Sequence, residues 1–197
     1  MLRSLMKLSE KFEEALVYAT QAHGNQMRKK TGIPFVAHIL GVTAIALEYG
    51  ASETEAISAL LHDTVEDCGG ADRLRDIREK FGDDVAGIVD GCTDTYETPK
   101  PPWLERKRAY IEYLNDSDSS TRLVSASDKL HNTRAILAEL RRHGTDVFDR
   151  FAGKKDGTLW YYRALVTAFR EHGNHTDLIG ELDRVVTEIE KLASVRR

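Results

Sequence analysis

Four ionisable side chains crowd into six positions of this 197-residue chain, His62-Asp63-Thr64-Val65-Glu66-Asp67, directly after the apolar run Ala59-Leu60-Leu61. On a helix His62 and Glu66 lie four apart on one face, and so do Asp63 and Asp67. One turn would then present a nitrogen ligand and three carboxylates along one edge. A divalent cation can bind the adjacent His and Asp and leave the next turn's carboxylates free to act on water. Without a cation, carboxylates at this density repel one another and raise each other's pKa. The bland alternative is a solvated acidic helix C-terminus, although negative charge there opposes the helix dipole.

Two further residues can join such a site. Asp128 stands in Leu123-Val124-Ser125-Ala126-Ser127-Asp128-Lys129-Leu130-His131-Asn132, whose small and apolar neighbours suggest a buried helix where an unpaired carboxylate is costly. Asn132 follows one turn later on the same face. The competing reading pairs Asp128 with Lys129 or Arg134 at the surface. His38 shares its helix face with Phe35, Val42 and Ile45, which points it inward. Alone it reads as a core histidine; beside a helix carrying His62-Asp63 it becomes a ligand. His38, His62, Asp63 and Asp128 would make an N₂O₂ site with open positions, a set that suits Mn²⁺ or Fe²⁺ and admits Zn²⁺.

Two basic runs flank these segments. Arg28-Lys29-Lys30 precedes the His38 segment, and Arg106-Lys107-Arg108 follows a Pro-rich loop. The first run can be solvated surface, or can hold phosphate groups beside a metal. The Lys154-Lys155 pair precedes Trp160-Tyr161-Tyr162, a core or interface cluster of which one ring could stack on a nucleobase. The chain has no GxxxxGK[ST], GxGxxG or GxSxG, so a P-loop, a dinucleotide fold and an esterase elbow lack support. Its two cysteines, Cys68 and Cys92, form no C-x-x-C, which argues against a disulfide scaffold or cysteine zinc site.

The elements that must position these residues are helical by period. Three of the four prolines sit in Thr98-Pro99-Lys100-Pro101-Pro102, so helices can run on both sides of one loop. Helices are expected over 10–23, from Pro34 to Gly50, and from a capping box at Ser52-Glu53-Thr54-Glu55 on through His62-Asp63 to Asp67. Others follow over 72–81, 84–92, 103–114, 121–143, 159–172 and 176–192. No segment alternates with period two, so the fold is all-α. Net charge is −4, from 28 Lys+Arg against 32 Asp+Glu, which disfavours nucleic acid or an anionic membrane as partner. The N-terminus lacks a signal-peptide pattern and the most apolar stretch, 35–47, is too short to span a bilayer. A single domain over 1–197 and a cytoplasmic location are expected. The last helix carries an apolar stripe that either caps the core or pairs with a second copy in a homo-oligomer.

These segments, in this order, resemble the HD-domain phosphohydrolases. Among them they look most like the hydrolase domain of RelA/SpoT-type alarmone enzymes, and particularly the stand-alone, metazoan SpoT homologue-like small hydrolases. The matching stretches are Ala22-His23-x-x-Gln26-x-Arg28-Lys29-x-x-Gly32-x-Pro34-Phe35-x-x-His38, Ala59-Leu60-Leu61-His62-Asp63-x-x-Glu66-Asp67, Phe81-Gly82-x-x-Val85-x-x-Ile88-Val89-x-Gly91-x-Thr93-Asp94, Glu105-Arg106-Lys107 and Ser127-Asp128-Lys129-Leu130-His131-Asn132-x-Arg134. They span about residues 8–136, with helices over 158–194 expected to pack on that core in a helical bundle. The resemblance implies one Mn²⁺ on His38, His62, Asp63 and Asp128. It implies an acidic pair, Glu66 and Asp67, that positions and activates water, and substrate contacts from Arg28, Lys29 and Asn132. The implied reaction removes the 3′-pyrophosphate of guanosine tetra- or pentaphosphate, the alarmones of the stringent response. Related small hydrolases accept adenosine alarmones or the 2′-phosphate of NADPH, and Trp103 stands where some relatives have lysine. A catalytically silent nucleotide-binding domain is the remaining alternative, against which the intact ligands and acidic pair count. No synthetase or regulatory domain is expected.

Overall fold

In a computed structural model of the chain, which describes residues 7–29, 31–97 and 99–194, local signals place most helix boundaries. Lys30 of the first basic run and Thr98 of the Pro-rich loop lie outside the described residues. Ser9 caps α1 (Glu10–His23), accepting the Lys11 N–H, and Gly24 ends it with φ +49°. The loop that follows folds back on itself: Arg28 N–H donates to the Ile33 carbonyl at 2.8 Å and Phe35 N–H to that of Gln26 at 2.9 Å. That return places Pro34 opposite Met27 in an isolated bridge, so α2 (Val36–Glu48) begins two residues after Pro34. The Ser52/Glu55 capping box opens α3 (Glu53–Leu61). After it come α4 (Thr64–Cys68), α5 (Gly70–Phe81), α6 (Asp83–Cys92) and α7 (Trp103–Asp116). The long α8 (Ser119–His143) runs into a 3₁₀ segment, Gly144–Arg150. The chain then closes with α9 (Lys154–Glu171) and α10 (Thr176–Ser194). No strand occurs among the described residues, so the chain is all-α.

One expectation fails where it matters most. The expected helix through His62-Asp63 is interrupted there, between α3 and α4. Side chains take the carbonyls that a continuous helix would use. His62 Nδ1 lies 2.8 Å from the Ala59 carbonyl, and the Thr64 hydroxyl donates to that of Leu61 at 2.6 Å. Such side-chain competition ends a helix locally. His62 and Asp63 keep helical backbone angles through the break, and their Nε2 and Oδ2 atoms lie 3.1 Å apart.

Two apolar clusters flank this break. One joins α1, α3, α5 and α6 through Ala15, Leu60, Ile77 and Val85. The larger one gathers α2, α6, α7, α8, α9 and α10 around Leu123, Val124 and Leu130. α8 is buried on most of its circumference, including Ser125, Ser127, Asp128 and Thr133, because α2, α3, α6, α9 and α10 all pack on it. The α10 stripe of Leu178, Leu182, Val185, Val186 and Ile189 is buried in this cluster, so it caps the core. Phe169 of α9 is fully buried here. We expect Phe169→Ala to cost about 3–5 kcal/mol, read as a lower urea midpoint with an unchanged slope.

Candidate metal centre and phosphate cleft

Four side chains from α2, the α3–α4 break and α8 meet where the two apolar clusters adjoin. His38, His62 and Asp128 offer ligand atoms within 4.8 Å of one another, all buried. Asp63, a quarter exposed, completes the set: its Oδ2 lies 3.3 Å from His38 Nε2 and 3.1 Å from His62 Nε2. Asp128 Oδ1 lies 3.4 Å from His38 Nε2 and 3.9 Å from His62 Nε2.

The donor set is one that a cation satisfies. A carbonyl can only accept, so the His62 Nδ1 contact with Ala59 puts its hydrogen on Nδ1 and leaves a lone pair on Nε2. That Nε2 is buried with no hydrogen-bond partner. Two carboxylate oxygens face it and His38 Nε2, so the centre presents converging lone pairs, the chemistry of a divalent ion site.

Without a metal, protons must do this work. Burial lowers the pKa of His62, but the charge of Asp63 and then that of Asp128 more than offset it, pushing it up to about 9. Burial raises Asp63, yet the charges of His62 and His38 hold it well below the usual carboxylate range. Burial raises Asp128 too, and Lys129 foremost, then His62 and His38, bring it down. Coordination needs neutral imidazole, so metal must displace the His62 proton. Mn²⁺ affinity is therefore expected to rise about tenfold per pH unit between about 7 and 9. Calorimetry in buffers of different ionisation enthalpy should show about one proton released. A pH-independent affinity would remove His62 from the ligand set. The same value makes His62 in the metal-free protein a source of stability that is complete below its unfolded value of about 6.5 and lost as pH rises through about 9.

Beside this centre, Asp63, Glu66 and Asp67 line one cleft with Gln26, Arg28, Lys29 and Asn132, in a cavity of about 460 Å³. Glu66 Oε1 is 2.5 Å from Lys100 Nζ, and its Oε2 accepts the Asp94 N–H at 3.4 Å. Asp67 Oδ2 accepts from Gln26 Nε2 at 2.9 Å, and Gln26 Oε1 lies 2.8 Å from His23 Nδ1. Arg28 Nη2 donates to Asn132 Oδ1 at 2.7 Å, while Asn132 Nδ2 donates to Asp128 Oδ1 at 2.5 Å. Asn132 thus connects Arg28 to the buried Asp128 carboxylate. Lys107 donates to Asp94 at 3.0 Å, and Arg106 pairs with the same carboxylate. Burial foremost, then the charge of Lys129, pushes Lys107 down to about 7.

The sequence reading and the structure differ in several particulars. Asp128 does pair with Lys129, at 2.5 Å, but inside the protein, whereas Arg134 reaches Glu181. The helix is interrupted at His62-Asp63, yet the Asp67 N–H still bonds to the Asp63 carbonyl at 3.0 Å, and Asp63, Glu66 and Asp67 line one cleft. The aromatic cluster is divided: Tyr161 is buried, Trp160 is exposed at its edge, and Tyr162 lines the cleft. Trp103 packs on α9, where Gly153 leaves room for its ring; a Cβ there would stand 2.6 Å from it. Lys100, Gln26 and His131 were not singled out as site residues. Gln26 and His131 lie within the matching stretches, and His131 follows Asp128 by three positions on α8, a neighbouring place on a helix. Nothing local marks Lys100, which reaches Glu66 only through the tertiary path of the Pro-rich loop.

Known proteins share this arrangement of chain. The HD-domain family profile matches residues 15–158. The guanosine-3′,5′-bis(diphosphate) 3′-pyrophosphohydrolase of Xenopus tropicalis is 40% identical over 128 residues, 62% of this chain and 68% of that one. The human enzyme of that name is 38% identical over 127 residues, again 62% and 68%. A solved structure described as a metazoan orthologue of SpoT that hydrolyses ppGpp and plays a role in starvation responses superposes with a TM-score of 0.77. It is 30% identical and covers 93% of this chain and 97% of its own. A structure from Listeria monocytogenes EGD-e matches with a TM-score of 0.68 and 30% identity, over 78% and 99%.

Proposed function

The chain belongs to the HD-domain family, and from that premise we propose that it is a metal-dependent phosphohydrolase that removes the 3′-pyrophosphate of guanosine tetra- or pentaphosphate. The products are GDP or GTP and pyrophosphate. The observation that carries this reading is the convergence of His38, His62, Asp63 and Asp128 beside Glu66 and Asp67, in a cleft that Arg28 and Lys29 also line. It is supported by relatives whose names carry that activity. We read residues 1–197 as one such domain, its core at about 8–136 with the helices of 158–194 packed on it. We read the protein as cytoplasmic; no described helix is long and apolar enough to cross a membrane.

His38, His62, Asp63 and Asp128 would hold the cation, which we read as Mn²⁺. When bound it supplies positive charge and Lewis acidity at the reacting phosphorus. Glu66 takes a proton from the attacking water, and Asp67, held by Gln26, fixes the direction of attack. The water oxygen bonds to the phosphorus next to the 3′-oxygen. That oxygen departs and gains a proton, leaving the ribose hydroxyl. Arg28 and Lys29 offset charge on the phosphates, and Asn132 keeps Arg28 turned toward them.

The test incubates purified protein with Mn²⁺ and, separately, ppGpp, ppApp and NADPH, with products separated by ion exchange and Asp63→Ala as control. Pyrophosphate and GDP from ppGpp, absent with the variant, is the expected result. Turnover of ppApp or NADPH alone would move the substrate and keep the centre. Stoichiometric nucleotide binding without turnover would make the protein a silent binding domain.

A further inference from the structure

Every metal-site histidine needs its second nitrogen settled, because the hydrogen on one ring nitrogen decides whether the other offers a lone pair. For His62 a backbone carbonyl settles it. For His38 the group in place is another imidazole, His131 of α8, whose Nδ1 lies 2.9 Å from His38 Nδ1. Arg28 Nη1 approaches the same His131 Nδ1 at 3.4 Å. A guanidinium can only donate. A ring nitrogen has a single in-plane site, so a His131 Nδ1 that faces Arg28 carries the lone pair and accepts from His38 as well. His38 then bears its hydrogen on Nδ1 and turns a free Nε2 toward Asp63 and Asp128.

A second observation is independent of hydrogen positions. Gly41, three residues beyond His38 on α2, has ordinary helical backbone, so its missing side chain is not explained by a turn. A Cβ there would stand 2.3 Å from His131 Cδ2 and 2.4 Å from His131 Nε2. The approach of α2 to α8 is thus shaped around this one ring.

We infer that His131 is a positioning residue: held in the notch left by Gly41, its Nδ1 lone pair fixes the tautomer and aim of His38 for metal binding, and couples that ligand to the phosphate-facing Arg28. The inference rests on the metal centre proposed above and adds a residue to it. His131 is itself neither one of the converging ligands nor a residue that lines the cleft, so it acts through His38 and Arg28.

The experiment strips the purified full-length protein of metal and titrates it with Mn²⁺ alone by calorimetry, comparing wild type with His131→Leu, His131→Asn and Gly41→Ala. Leucine keeps the approximate bulk without an acceptor, and asparagine puts an amide oxygen close to the position of Nδ1. His131→Leu is expected to weaken Mn²⁺ binding about 10–100-fold, the range for groups that orient metal ligands. His131→Asn should restore most of it. Gly41→Ala, which leaves His131 chemically intact but displaces its ring, should weaken binding like leucine, and carries the test if His131→Leu does not fold. Wild-type affinity in His131→Leu or in Gly41→Ala, or no recovery with asparagine, would overturn the inference. A wild-type protein that binds no Mn²⁺ would instead overturn the metal centre itself.

Discussion

Asp63→Ala is expected to abolish Mn²⁺-dependent turnover and to weaken Mn²⁺ binding by more than about 100-fold, beyond the range seen when only a ligand's supporting group is removed. The fold should survive. Asp63 sits where α4 begins, yet its side chain makes no capping hydrogen bond, and its backbone conformation is helical. The bond it gives the local structure, from Asp67 N–H to its carbonyl at 3.0 Å, is a backbone bond that alanine keeps. What alanine removes is the oxygen within 3.3 Å of both histidine Nε2 atoms. Two readouts separate a lost ligand from a lost fold. Mn²⁺ should raise the unfolding midpoint of the wild type, since a ligand of the native state stabilises it, and should leave that of the variant unmoved. In metal-free protein, the His62 pKa should fall from about 9, because the charge of Asp63 is the largest influence raising it. Full turnover by the variant would remove Asp63 from the centre.

Glu66→Gln is expected to lower kcat by about 10²–10⁴-fold, the usual contribution of a positioned acid–base group, with Mn²⁺ affinity unchanged. Glutamine keeps the length and shape of the side chain and loses its charge and its capacity to take a proton. Glu66 bonds to Lys100 and the Asp94 N–H rather than to either histidine or Asp128, so the metal should not register its loss. The pair with Lys100 is also lost, but Lys100 is 43% exposed and Glu66 22%, and an exposed pair of this kind is worth about 1 kcal/mol or less. Stability should therefore change little. Single-turnover kinetics with ppGpp and Mn²⁺ calorimetry on one preparation check both halves. Unchanged turnover would exclude Glu66 as the base, and lost Mn²⁺ binding would place it in the ligand set instead.

Both predictions concern residues visible in the sequence, and the reason is physical. Helix starts and stops are decided within a few residues. Ser9, the Ser52/Glu55 box and Asp118 accept the first free N–H groups of α1, α3 and α8, and Gly24, Gly82 and Gly144 close α1, α5 and α8 with positive φ. The residues proposed as ligands stand out for a similar reason, since His38 on an apolar face and Asp128 among small residues are costly to bury without a partner. The break at His62-Asp63 was not legible. It depends on which carbonyls the His62 and Thr64 side chains reach once α3 is packed, and a continuous helix was the better local reading.

By itself, then, the sequence determined an all-α chain, and it offered the residue types of the proposed metal centre and acidic pair, because helical period and capping act over one or two turns. Only the tertiary structure decided their aim. It turned Lys129 inward onto Asp128, brought Lys100 to Glu66 and Gln26 to Asp67, and set His131 in the notch of Gly41 against His38. All but the first of those contacts join segments far apart in the chain. They exist because burying the two apolar clusters brings α2, the α3–α4 break and α8 together, and no local pattern encodes where two buried faces will meet.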